Sequence, residues 1–299
     1  MTSARAATTV PFAAACLGIA LFSGMDAAMK GLSIALGAYN AMFWRVLIGV
    51  GISGVPYAMA RAAWPTAAAM RVHLIRGAVT SVMAIAFFYG IARVPLAEGI
   101  ALSFIAPLIA LYLAAVLLGE TIGRATIVAS LIALTGVGIL VATRLSGDFG
   151  PDSLPGVAAI LFSAVFYAWN IILMRQQALL ALPTEVAFFQ NVTVSFFLGL
   201  AAPFLAVVPS AKHLPALGLS AALAFASLLL LSWAYARAEA KILVPVEYTA
   251  FIWAAIMGAI VFGEAVTPAT LAGAALIVTG CIVAARAGRT DTAKLEAAL

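Results

Sequence analysis

The chain has 299 residues, 65% hydrophobic and 9% charged, with a mean hydropathy of +1.16 and a formal net charge of +5. A soluble domain is about 45–50% apolar and about 25% charged, so this composition describes an integral membrane protein and excludes a soluble enzyme or a nucleic-acid binder. The basic residues fall mostly in short connections between apolar stretches, where they report topology rather than a polyanionic partner.

Crossing about 30 Å of hydrocarbon at 1.5 Å per residue takes about 20 apolar residues. Segments of that length run over 11–31, 38–60, 72–92, 96–118, 124–144, 154–175, 184–207, 214–236, 243–262 and 268–287. The breaks between them carry turn or cap chemistry: Gly37, Trp64-Pro65, Pro95, Gly147 to Pro155, Pro183, Pro209, Pro215 and Thr267-Pro268. The predicted fold is all-α and membrane-integral, with ten transmembrane helices. The first segment holds Asp26 and Lys30 and lacks a small-residue cleavage site after it, so it reads as a retained helix rather than a signal peptide.

An even number of spans puts both termini on one side, and the Lys/Arg balance chooses it. Connections on the terminal side hold Arg5, Arg61, Arg71, Arg76, Arg124, Arg175, Arg237, Lys241, Arg286, Arg289 and Lys294. The other side holds Lys30, Arg45, Arg93, Arg144 and Lys212, which places the termini in the cytoplasm. Cys16 and Cys281 stand alone in apolar segments, and His73 and His213 read as interfacial loop residues without partners at ligand spacing. No metal site and no cofactor is expected.

LLGET at 117–121 and VFGEA at 261–265 place Glu120 and Glu264 144 residues apart. The same offset carries Arg93 to Arg237, Ala125-Thr126 to Ala269-Thr270, Thr135-Gly136 to Thr279-Gly280, Phe22 to Phe166 and Pro65 to Pro209. Two five-helix halves follow, 11–144 and 154–287, with a cytoplasmic tail over 288–299. Five is odd, so the second half enters the membrane in the opposite direction. Inverted repeats of this kind mark alternating-access secondary transporters, with the substrate held where the repeats meet.

The stretch RVPLAEGIALSFIAPLIALYLAAVLLGETIGRATIVASLIALTGVGIL, with Pro107, Gly119-Glu120 and Thr135-Gly136, resembles the repeat of the drug/metabolite transporter superfamily in its ten-helix EamA-type form. The second copy keeps Gly263-Glu264 and Thr279-Gly280 and has Phe251 in place of the proline. Within that superfamily the chain resembles the bacterial aromatic amino acid exporters of the YddG type. FSGMDAAMK, residues 22–30, also resembles the first helix of related metabolite and S-adenosylmethionine carriers. The resemblance implies a bacterial inner-membrane exporter or exchanger of small metabolites without naming one; amino acids, aromatic ones preferred, are the expected substrates, with a broad drug or metabolite exporter as the alternative. A coupling proton and the lipid bilayer are the other expected partners.

Ionisable groups inside spans cost about 2.5–3.5 kcal/mol each at the bilayer centre on insertion scales, which makes each a functional candidate. Asp26 lies just past the midplane of the first span, and its repeat partner is Asn170. Asp26, Lys30, Arg45, Arg93 and Glu98 form a predicted outer-gate charge set, against the alternative of a local Asp26–Lys30 pair at i, i+4. The repeat partners of Lys30 and Arg45 are Met174 and Phe189, so the inner half is expected to lack such a network. Glu247, partner of Ser103, is an inner-half candidate for a proton-linked carboxylate, with snorkelling to the interface as the alternative.

Tyr89, Trp169, Tyr248 and Trp253 suggest an aromatic-lined cavity. Gly119-Glu120 and Gly263-Glu264 read as structural helix-end motifs, the carboxylates facing the next helix start. Neither GxxxxGK[ST] nor HExxH occurs, which disfavours a primary pump and an intramembrane metalloenzyme. A channel is the alternative from a different class, and the inverted repeat argues against it.

Overall fold

A computed structural model of the chain describes residues 2–60, 64–118, 124–146, 152–235, 237 and 246–296, and all regular structure there is helical. We number the helices α1 (Thr2–Leu36), α2 (Ala38–Met59), α3 (Ala67–Ile91), α4 (Leu96–Ser103), α5 (Ala106–Leu118), α6 (Arg124–Ser146), α7 (Ser153–Ala178), α8 (Pro183–Leu205), α9 (Leu214–Tyr235), α10 (Ala250–Phe262) and α11 (Pro268–Glu296). Among the described residues, six helical segments are long and apolar enough to cross a bilayer: Val10–Leu36, Ala38–Met59, Ala67–Ile91, Ser153–Met174, Pro183–Leu205 and Ala211–Ala234. Helix is the structure this sequence must adopt in lipid, because each segment then satisfies its own backbone polar groups.

Local chemistry sets the ends. Gly37 (φ 79°) turns the chain between α1 and α2, and Gly263 (φ 66°) closes α10 in the left-handed region that a side chain disfavours. Thr66 caps α3 by accepting the Ala69 N–H (3.2 Å), so this helix starts at Ala67 rather than the predicted 72. His73 therefore lies inside α3 and is buried, which corrects its reading as a loop residue.

Two predicted continuous spans are broken. The fourth divides into α4 and α5 at Phe104-Ile105, where the N–H groups turn to i−3 carbonyls at 3.2 and 3.3 Å. Pro107 has no N–H to return to Ser103, which accounts for the break. In the ninth span a turn at Tyr248-Thr249 precedes α10, with Thr249 N–H on the Val246 carbonyl at 2.9 Å. Tyr248-Thr249 lies 144 residues after Phe104-Ile105, so both repeats break their fourth helix at one place although only the first has a proline there.

The repeat is also visible as reciprocal packing, the mark of a two-fold relation. A Cβ on Gly136 of α6 would stand 2.5 Å from the Gly273 carbonyl, and one on Gly280 of α11 would stand 2.5 Å from the Ala129 carbonyl. Gly136 and Gly280 are repeat partners, as are Ala129 and Gly273. Phe104 meets its own partner Tyr248 edge to face at 5.3 Å. Arg93 lies over the Tyr89 ring at 3.5 Å, and Arg237 over Trp233 at 4.4 Å, each also donating to that aromatic residue's carbonyl. Helices α1, α3 and α10 finish at what we call the distal end of the bundle. The starts of α3 and α8 and the finish of α7 meet at the opposite, terminal, end.

Candidate functional site

Both first helices of the repeats carry a polar stripe at helical spacing. On α1 it is Ser23, Asp26, Lys30 and Ser33, all buried, and on α7 the partners are Tyr167, Asn170, Met174 and Gln177. Large apolar side chains instead occupy outward stripes such as Phe196, Leu200 and Phe204 of α8. Polar side chains from both repeats, Ser23, Asp26, Lys30 and Ser33 with Asn170 and Gln177, are thus buried within an otherwise apolar interior, while Tyr167 and Met174 are exposed.

At the distal end Lys30 is 4% exposed. Its Nζ pairs with Glu264 Oε1 and donates to the Val94 carbonyl at 2.6 Å, while the Leu96 N–H donates to Glu264 Oε2 at 2.7 Å. One carboxylate from the second repeat therefore clamps α1 to the α3–α4 connection of the first. The left-handed Gly263 aims it: the Glu264 N–H returns to the Gly258 carbonyl at 3.1 Å. Gly258 leaves the room, since a Cβ there would sit 2.7 Å from Oε2. Glu264 does cap a helix, but that helix is α4, whereas α11 is capped by Thr267 Oγ1, which accepts the Thr270 N–H at 3.1 Å. A cleft of about 360 Å³ opens beside the clamp, lined by Lys30, Ile34, Ala92, Arg93, Phe262 and Glu264 among others.

Deeper in the bundle, Asp26 of α1 is 2% exposed and interacts electrostatically with Arg45 of α2. The two make no direct ion pair. Arg45 Nη2 donates to the Met42 sulfur at 3.2 Å, and Arg45 Nε and Ser23 Oγ are buried without a hydrogen-bond partner among the described residues. Tyr167 of α7, 37% exposed, interacts electrostatically with Asp26, Arg76 and the exposed Glu247.

The terminal end holds a second buried network. Arg76 of α3 donates through Nε to Asn170 Oδ1 (3.0 Å) and through Nη1 to Gln177 Oε1. Gln177 Nε2 meets His73 Nδ1, and His73 Nε2 meets Glu185 Oε1 of α8 at 3.0 Å. Thr80 Oγ1 also reaches Asn170 Oδ1, at 3.3 Å. This overturns the expectation that the charged network belongs to the distal half alone.

The predicted site residues divide accordingly. Asp26, Lys30 and Asn170 are buried and Arg45 is partly buried, but Lys30 turns to Glu264 rather than to Asp26. Arg93 turns to Tyr89 rather than into the charge set, and Tyr89 is drawn to the rim. Glu98 is buried in the first turn of α4. Ser103 Oγ donates to the Gly99 carbonyl (2.9 Å), and Glu247 is exposed and interacts electrostatically with Tyr248. Tyr248 and Trp253 are half-buried near the break. Trp169 shares an outward face with Phe162 and Val165, away from the interior that Asn170 faces. Gly119 and Glu120 lie outside the described residues. Tyr167, Arg76, His73, Gln177 and Glu185 were not anticipated, although Tyr167 and Gln177 fall on Asn170's stripe at helical spacing.

Comparison with known proteins gives this geometry its context. The EamA-like transporter family matches residues 11–142 and again 154–286. The pseudopaline exporter CntI of Pseudomonas aeruginosa (strain UCBPP-PA14) is 29% identical over 273 residues, covering 89% of this chain and 92% of its own. An uncharacterized transporter of Helicobacter pylori (strain ATCC 700392 / 26695) is 28% identical over 180 residues, 58% of this chain and 59% of its own. A solved chain titled only as a crystal structure of a protein superposes with a TM-score of 0.60 at 21% identity, over 96% of this chain and 98% of that one, a likeness of fold alone. The chain belongs to the EamA-like transporter family, and is a membrane transporter of small metabolites.

Proposed function

We propose that the protein exports small zwitterionic metabolites of the amino-acid kind across a bacterial inner membrane by alternating access, with the termini cytoplasmic and the distal end outside. The observation that carries this reading is the Asp26 and Arg45 arrangement: opposite charges on neighbouring helices, Asp26 buried and Arg45 partly buried with its Nε enclosed, and not paired with one another. A buried charge without a partner is costly. A ligand carrying an ammonium for Asp26 and a carboxylate for Arg45 removes that cost, with Arg45 Nε free to make the second bond of a bidentate contact. The repeats 11–144 and 154–287 are the moving units, and 288–299 is a tail. The Lys30–Glu264 clamp closes the outer side until substrate is loaded.

Within this class we propose a preference for Phe, Tyr and Trp, supported by half-buried Tyr248 and Trp253 beside the broken helices. Likeness to a pseudopaline exporter over most of both chains supports export. The test is counterflow in proteoliposomes with labelled amino acids. Saturable exchange that Asp26→Asn and Arg45→Lys abolish supports the reading. Linear, unsaturable flux points to a channel, and saturable exchange for which Phe, Tyr and Trp do not compete removes the aromatic preference.

A further inference from the structure

We infer that the distal cleft is a binding site for small organic carboxylates, which Arg93 and Lys30 hold in competition with Glu264. Its position follows from helical spacing. Asp26, Lys30 and Ile34 stand at i, i+4 and i+8 of α1, so they share one stripe that runs about 12 Å from Asp26 to the mouth of the cleft. Exposure rises along it, from 2% at Asp26 and 4% at Lys30 to 59% at Ile34. The Lys30–Glu264 clamp thus stands between the open cleft and the Asp26 and Arg45 arrangement. That puts the cleft where outgoing substrate would pause, a role that rests on the export reading, whereas the binding site itself does not.

The lining has the make-up of a small-molecule site, apolar walls with a few convergent polar groups. Ile34, Val94, Pro95 and Phe262 wall a space of about 360 Å³. The charges among its lining residues are two cations, Lys30 and Arg93, against one carboxylate, Glu264, so a single added carboxylate balances them. Glu98, the nearest acidic residue along the chain from Arg93, is 1% exposed in α4 and does not line the cleft. The Arg93 guanidinium lies over the Tyr89 ring at 3.5 Å, which fixes its plane, and among the described residues it spends only Nη1, on the Tyr89 carbonyl at 2.9 Å. Its Nε is enclosed without an acceptor among those residues. A guanidinium carries five N–H donors in a planar fork that matches a carboxylate. Most of this fork lacks an acceptor, and a carboxylate in the cleft supplies one.

Lys30 meets the incoming carboxylate by exchange. Its Nζ holds Glu264 Oε1 and the Val94 carbonyl. When a ligand carboxylate takes the place of Oε1, the lysine keeps an anionic partner, so no buried cation is stranded. Glu264 stays anchored through Oε2 to the Leu96 N–H at 2.7 Å, and Oε1 turns to the open side of the cleft, where its side chain is already 18% exposed. The apolar body of the ligand lies against Phe262, whose ring centroid is 5.1 Å from Lys30 Nζ. An occupied cleft therefore weakens the bond that closes α1 onto the second repeat.

The experiment reads binding rather than transport, which separates it from the export reading. In a Cys16→Ala/Cys281→Ser background, Ile34→Cys at the cleft mouth carries a small trifluoromethyl tag, and the full chain is held in a maltoside detergent, which brings no phosphate or carboxylate of its own. Fluorine NMR follows titration with phenylacetate, with 2-phenylethanol as the uncharged control. The expected result is a saturable shift with phenylacetate and none with 2-phenylethanol. Arg93→Gln weakens binding at least about tenfold, through loss of a charge-assisted hydrogen bond. Glu264→Gln tightens it by removing the competitor, and Asp26→Asn/Arg45→Lys leaves it unchanged. Equal shifts from the two compounds, or an undiminished phenylacetate shift in Arg93→Gln, overturn the proposal. So does loss of the shift in Asp26→Asn/Arg45→Lys, which assigns the ligand to the deeper charges. Where Arg93→Gln fails to fold, the comparison of the two compounds and the Glu264→Gln titration decide by themselves.

Discussion

Replacing Lys30 by methionine, the residue its repeat partner already has at position 174, should open the distal end. Removing one member of a buried ion pair costs about 3–5 kcal/mol because the other charge is left uncompensated. The side chains of Lys30 and Glu264 are 4% and 18% exposed, and Glu264 keeps the Leu96 N–H, so the lower end applies, about 3 kcal/mol. At about 1.4 kcal/mol per tenfold, this shifts the balance of closed and open distal states by roughly a hundredfold. A cysteine at Ser33, buried one turn beyond Lys30, reads the shift as its rate of alkylation by a membrane-impermeant maleimide, in a chain without Cys16 and Cys281. Glu264→Gln should accelerate labelling in the same direction. The double variant Lys30→Met/Glu264→Gln should recover much of the loss, because neither member of the pair is left charged without the other. An unchanged rate in Lys30→Met, or strictly additive effects in the double variant, would refute the clamp as the distal closure.

Asp26→Asn, which copies the repeat partner at Asn170, and Arg45→Lys should each lower counterflow at least about tenfold, the loss of about 1.4 kcal/mol or more of substrate contact, with thermal melting little changed. Tyr167→Phe should reduce transport measurably while Trp169→Ala leaves it near wild type, since only Tyr167 interacts with Asp26, Arg76 and Glu247; equal effects in uptake assays would contradict the facing assigned to α7. Gly280→Ala should destabilise by about 1–3 kcal/mol, because its methyl group meets the Ala129 carbonyl at 2.5 Å and backbone cannot yield cheaply. Gly138→Ala, with nothing within 4 Å, should be neutral or slightly stabilising in the same thermal-shift measurement.

Much of the site was hidden because these helices are apolar almost all round, so periodicity says little about which face points inward. Trp169 illustrates the cost: adjacent to Asn170 in sequence, it stands about 100° away around the helix and faces outward. His73 was misplaced for a different reason. A hydropathy boundary at residue 72 ignored the Thr66 cap, which starts α3 earlier and carries the histidine into the bundle. The broken ninth helix has Phe251 where the fourth has Pro107, and only the equivalence of Tyr248-Thr249 with Phe104-Ile105 relates the two breaks.

The amino-acid sequence by itself determined the membrane environment, the helical class and the doubling of the fold. Apolar length, backbone satisfaction in lipid and a constant 144-residue offset are one-dimensional properties that survive without coordinates. It also singled out Asp26, Lys30 and Arg45, since a charge inside an apolar span is conspicuous wherever it points. Only the tertiary structure decided the partners. Lys30 reaches across 234 residues to Glu264, and Arg76 and His73 reach across about a hundred to α7 and α8. Pairing of buried charges is a matter of facing and distance, and those exist only once the two repeats have packed against each other.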